Sequence, residues 1–146
     1  MKLIINSVPL SKVKSLTLSE SQEQTLLFKW AGWNHTTYPE LEMMYAVPNG
    51  GKRDIVTATH LKAEGVKAGV PDICLPVPRG GYHGLYIELK VHGNKPSELQ
   101  ESWLRRLSEQ GYFTAVCYGW YEAAETIKRY LGATIANLNE VEIESE

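Results

Sequence analysis

The sequence has no apolar stretch near the roughly 18 residues a membrane span requires, so no membrane-crossing helix is expected. Its opening, MKLIINSVPLSK, is too short and too polar for a secretory leader. Cysteine is scarce: Cys74 and Cys117 lie in apolar, strand-like surroundings and far from any C-x-x-C spacing. They are expected to be reduced core residues of an intracellular protein. His35, His60, His83 and His92 fit no H-E-x-x-H or other zinc spacing and read as bystanders, although His92 falls two residues past Lys90. Neither a G-x-S-x-G elbow nor a Walker A loop is present, which removes serine hydrolases and P-loop NTPases and any nucleotide cofactor. Internal repeats and low-complexity runs are also missing. Positive charge is lacking too, with 15 Lys and Arg against 17 Asp and Glu, a formal net charge of −2. Taken whole, that balance argues against a nucleic-acid partner.

What is present describes a globular chain. Its 146 residues are 43% hydrophobic and 22% charged, enough for one domain with its own core. The acidity is unevenly spread. Residues 136–146 hold four Glu and no Lys or Arg, so residues 1–135 carry 15 basic and 13 acidic residues. An acidic tail of this kind is expected to be solvated and mobile.

Residues 1–18 have weak periodicity and read as an N-terminal arm. Both Thr17-x-x-Glu20 and Ser19-x-x-Gln22 fit a capping box, and Leu26, Leu27 and Trp30 follow at helical spacing up to Gly32. Met43 to Val47 reads as a strand that ends at the turn Pro48-Asn49-Gly50-Gly51. A helix is expected over 55–63, then a short strand within 69–76. In 85–91 the apolar Leu85, Ile87, Leu89 and Val91 alternate with Tyr86, Glu88 and Lys90, the period of a strand. A helix that starts at Ser97 and ends before Gly111, a strand over 113–118 and a helix over 121–131 follow. This order implies an α/β fold with a mixed central sheet flanked by helices.

Chemistry concentrates on the alternating strand. It puts Glu88 and Lys90 on one face, about 7 Å apart, over an aliphatic opposite face. If the preceding strand pairs with it as a hairpin, Asp72 comes beside Glu88. Two close carboxylates repel unless a proton or cation intervenes, and a hard divalent ion with oxygen ligands is a natural remedy. The triplet is weak evidence in isolation. A chain of this composition contains roughly one (D/E)-x-K by chance, and a surface strand also carries cross-strand ion pairs.

Its context is more specific. Pro71-Asp72, fifteen residues and Glu88-Leu89-Lys90 resemble the PD-(D/E)xK nuclease superfamily. Ser19 to Gln24, Pro48 to Gly51, Glu64 to Ile73, Gly84 to Lys90, Ser97 to Gln100 and Gly111-Tyr112 further resemble the VRR-NUC domain family, in its order. The likeness spans about residues 19–131. It implies a restriction-endonuclease-like core of αβββαβα type at 19–135, between the arm (1–18) and the acidic tail (136–146).

The resemblance also implies roles. Asp72, Glu88 and the backbone carbonyl of Leu89 become ligands of one or two Mg²⁺ ions, with Mn²⁺ as a substitute, and Glu20 matches the family's additional acidic position. Glu23 is an alternative to Glu20, and Gln24 shares the helix face of Glu20. Lys90 is expected to stay an ammonium that orients the attacking water and offsets charge in the transition state. Gln100 stands either beside the site or as the capping partner of Ser97. Asn49, Lys52, Arg53, Lys67 and Lys95 are candidate DNA contacts. Asn49 is equally a turn residue, and each basic residue taken singly is more often a solvated surface charge, but their clustering in loops around the carboxylates favours phosphate contacts. Trp30, Trp33, Trp103 and Tyr112 read as core or interface residues, without a base-stacking module.

The expected function is metal-dependent hydrolysis of DNA phosphodiester bonds. The likeness to stand-alone phage and bacterial members implies a homodimer acting on four-way junctions or flaps in the cytoplasm. A catalytically inactive nucleic-acid-binding module of the same fold is the alternative. A structural or inhibitory protein whose strand charges are only ion pairs is a further one. Leaving out the tail and the three proposed acidic ligands, 15 basic residues face 10 acidic ones, so the net −2 does not exclude DNA.

Overall fold

The computed structural model describes residues 17–48 and 54–132. The arm up to residue 16, Asn49, Lys52 and Arg53, and the tail 136–146 lie outside the described residues. The elements in chain order are α1 (Glu20–Asn34), a 3₁₀ turn (Pro39–Met43), β1 (Tyr45–Ala46), α2 (Ile55–Ala63), β2 (Ile73–Leu75), β3 (Leu85–Lys90), α3 (Glu98–Glu109), β4 (Phe113–Tyr118) and α4 (Trp120–Leu131). The four strands form one mixed sheet in the order β1-β2-β3-β4, antiparallel up to β3 and parallel between β3 and β4. This is the expected α/β architecture. No helix of the described residues is long and apolar enough to cross a membrane.

Local chemistry accounts for the boundaries. Of the two possible capping boxes, α1 uses Ser19 and Gln22: Gln22 N–H donates to Ser19 Oγ at 3.2 Å, and Ser19 N–H to Gln22 Oε1 at 2.9 Å. Glu20 thereby becomes the first helical residue, just after the N-cap. The strand expected from Met43 shrinks to two residues. Pro39 presets the φ of a 3₁₀ turn, and buried Leu41 anchors that turn against the core. The parallel β3–β4 pair is joined by α3, as a parallel crossover demands.

Leu85, Ile87 and Leu89 are at most 1% exposed and pack with Leu27, Ala124, Ile127 and Tyr130 of the two helices over that face. Each such side chain contributes about 1.5–3 kcal/mol through burial. Cys74 and Cys117 are buried free thiols, in the core as expected. Helix α2, like α3, has no fully buried residue, and its Ile55 and Val56 are 85% and 65% exposed.

Candidate active site

The β2–β3 register determines what meets Glu88. Ile73 pairs with Ile87 and Cys74 with Tyr86, so the next step along the hairpin sets Asp72 opposite Glu88. Asp72 caps the end of this ladder: its Oδ2 accepts the Leu89 N–H at 2.8 Å, and its own carbonyl accepts the Val47 N–H at 2.7 Å. A residue's N–H and C=O project from the same edge of an extended strand. The Leu89 carbonyl therefore points toward the Asp72 side, beyond the last β2–β3 pair. The next carbonyl points the other way, since Lys90 O accepts the Gly119 N–H at 2.9 Å.

Glu88 and Lys90 share a face, as the alternation requires, but they are far more deeply set than surface-strand charges. Glu88 is 1% exposed and Lys90 7%. Lys90 Nζ lies 3.1 Å from Glu88 Oε1 and 3.7 Å from Glu20 Oε1. Neither Glu88 oxygen has a hydrogen bond of acceptable geometry. Burial, reinforced by the negative charge of Asp72, pushes the Glu88 carboxyl up to about 7. Burial also raises Asp72, against the opposing pull of the Leu89 N–H and the Lys90 charge. For Lys90, burial alone favours the neutral amine, but Glu88, Glu20 and Asp72 outweigh it and hold the ammonium above its ordinary value.

Glu20 and Glu23 have separate employments. Glu20 accepts a 3.2 Å hydrogen bond from Asn94 Nδ2 and faces Lys90. Glu23 Oε2 accepts the Trp120 N–H at 2.8 Å and so caps α4, whose own N-cap is Gly119 and supplies no side chain. Gln24, half-buried, borders a shallow hollow with Ser21, Thr25, Phe28 and Lys29. Gln100 is the capping partner of Ser97, its Oε1 accepting the Ser97 N–H at 2.8 Å. Lys67 and Lys95 are exposed, on the loops before Pro71 and after β3.

Asn94 was not anticipated from the sequence. It links Glu20 to the Tyr118 hydroxyl, which donates to the Asn94 carbonyl at 3.1 Å. Gly93-Asn94 directly after β3 marks a turn, but only the fold brings that turn to α1.

Among the described residues, no three His, Cys, Asp or Glu side chains already converge as a metal cage. The Lys90 ammonium stands among the carboxylates instead. The donor set nonetheless fits a hard cation. Two buried Glu88 oxygens have no hydrogen bond, Asp72 is opposite, and the Leu89 carbonyl is on the Asp72 edge of β3.

Comparison with known proteins bears on the family and the fold. A family model described as the VRR-NUC domain matches residues 12–120. A solved structure described as a VRR_NUC domain protein superposes with a TM-score of 0.68 at 29% identity, covering 80% of this chain and 91% of that one. No curated protein sequence matches significantly.

Proposed function

The chain belongs to the VRR-NUC domain family, whose nuclease domains act on DNA, and from that premise we propose that it is a divalent-metal-dependent endonuclease that hydrolyses phosphodiester bonds in branched DNA. The observation that carries the metal-dependent reading is Glu88, a fully buried carboxylate without a hydrogen bond, opposite Asp72 and beside Lys90. Lys90 faces only Oε1, at 3.1 Å, which leaves Oε2 a buried acceptor with no donor, and such an acceptor is destabilising unless a cation or proton meets it.

In this reading Asp72, Glu88 and the Leu89 carbonyl hold Mg²⁺ or Mn²⁺, with Glu20 at the open side. The ion supplies Lewis acidity toward the scissile phosphoryl group and a water of lowered pKa. The protein's own groups do the rest. Asp72, bonded to Leu89 N–H, keeps that carbonyl aimed at the site. Lys90, fully protonated, orients the attacking water and balances the charge that develops on the phosphoryl oxygens. Asn94 steadies Glu20, and exposed Lys67 and Lys95 contact phosphates on either side.

The nuclease domain occupies 19–135 in this reading, between the arm and the acidic tail, and works in the cytoplasm. A homodimer presents two such sites to a junction or flap, with the uncovered helix α2 as its contact face.

The test is to incubate the protein with duplex, flap and four-way-junction DNA in Mg²⁺, Mn²⁺ or EDTA. Cutting of branched DNA is expected in either metal and none in EDTA. Lys90→Ala is expected to slow it about 100-fold or more while the circular dichroism spectrum stays native. Binding without cutting in every metal would overturn the proposal in favour of a catalytically inactive module.

A further inference from the structure

Immediately beyond Lys90 the chain borders a second feature. A groove of about 410 Å³ lies between the first turns of α1 and the C-terminal ends of β3 and β4. Its size is within the range of small-ligand sites. His92, Tyr118, Trp120, Tyr121, Val91 and Glu23 line it. With Thr17, Leu18 and Gly119 the lining comes to nine residues, four of which carry aromatic rings. His92 and Tyr118 are already stacked, with centroids 5.7 Å apart and planes 22° from parallel, and His92 is exposed. Trp120 and Tyr121 meet edge to face at 5.8 Å, with Tyr121 66% exposed.

We propose that this groove receives an unpaired nucleobase of the strand being cut, from the nucleotide next to the scissile phosphate. The proposal rests on the nuclease reading of the adjoining site. Distance supports it first. Tyr118 is the register partner of Lys90, one strand spacing or about 4.8 Å away, and His92 is two residues or about 7 Å further along the chain. A phosphate at Lys90 leaves the adjoining nucleotide within reach of the His92–Tyr118 stack.

Charge decides which part of the nucleotide enters. The start of α4 is no phosphate site, because Glu23 already occupies the Trp120 N–H and brings a carboxylate into the groove. That carboxylate repels phosphate and accepts a hydrogen bond from an exocyclic amino group. Adenine, cytosine and guanine carry such a group and thymine does not. Aromatic walls with one acceptor thus select the flat, apolar, amino-bearing base over the backbone. A base can enter only if it is unpaired, which ties the groove to flaps and junctions rather than intact duplex.

The experiment uses the full chain in EDTA with flap DNA carrying 2-aminopurine at each position within three nucleotides of the branch. One position is expected to be quenched on binding. His92→Ala and Tyr121→Ala, both at exposed side chains, are expected to relieve that quenching and to weaken binding roughly five- to tenfold. An abasic residue at that position is expected to weaken wild-type binding by a similar factor and to make His92→Ala silent. Thymine there should bind more weakly than adenine. Absence of quenching at every position, or quenching unaltered in both variants, would overturn the proposal. Quenching as described in a protein that cuts in no metal would sustain the base site and overturn the nuclease reading alone.

Discussion

Glu88 is held in a state that folding alone would not choose. Its carboxyl stands at about 7 against an ordinary 4.5, chiefly because it is buried and then because Asp72 faces it. Between those two values the folded protein keeps a proton that the unfolded chain has released. This group's contribution to stability is therefore complete below pH 4.5 and is lost as pH rises through 7. Glu88→Gln removes the charge and keeps the shape. In EDTA the variant is expected to be more stable than wild type at pH 8, by about 1–3 kcal/mol, and nearly equal at pH 5. Thermal denaturation at the two pH values checks this. A variant less stable at pH 8 would mean that the Lys90 pairing outweighs the burial of the charge. The same burial explains why the sequence understated the site. Alternation set Glu88 and Lys90 on one face but could not say that the face would be covered.

Among the elements, β3 was the most legible, because six residues of strict alternation leave only one pairing of faces. The hairpin with β2 followed from the short connection, and with it the meeting of Asp72 and Glu88. The edge strand β1 was less legible, since a strand paired on one side depends on its neighbour and the 3₁₀ turn that Pro39 opens takes Met43 from its start. The choice between Glu20 and Glu23 was less legible: the family resemblance favoured Glu20 and kept Glu23 as the alternative. They are three residues apart on one helix, and only the tertiary contact of α1 with the start of α4 separates them. That contact makes opposite predictions for the pair. Glu23→Ala is expected to uncap α4 and lower stability by about 1 kcal/mol, leaving most of the cutting intact. Glu20→Gln is expected to leave stability unchanged, because its carboxylate is half-exposed, and to abolish cutting. Melting temperature and cleavage rate measured on both variants separate the roles. If Glu23→Gln stops cutting while Glu20→Gln does not, the ligand is Glu23.

Over the whole molecule, the opening balance of −2 combines opposing regions. Four acids lie in the last eleven residues and three more stand at the proposed metal site, while the remainder of the chain is basic. Apolar surface is distributed as unevenly as charge. The sheet and the helices over its aliphatic face bury their large side chains, whereas α2 buries none and exposes Ile55 and Val56 beside each other at its start. A nine-residue helix with no packed face has little stability of its own in water. Within a homodimer, α2 against its symmetry mate would cover those side chains through one self-complementary patch. Ile55→Asp is then expected to shift the protein from dimer to monomer in sedimentation experiments. The monomer's melting temperature should exceed that of a core variant such as Ile87→Ala, which loses about 2–5 kcal/mol, because α2 contributes nothing to the core. Four-way-junction cutting should fall more than flap cutting, since a junction engages two sites and a flap one. If Ile55→Asp remains a dimer, the contact lies elsewhere on the fold, and α2 has to be explained without a second copy.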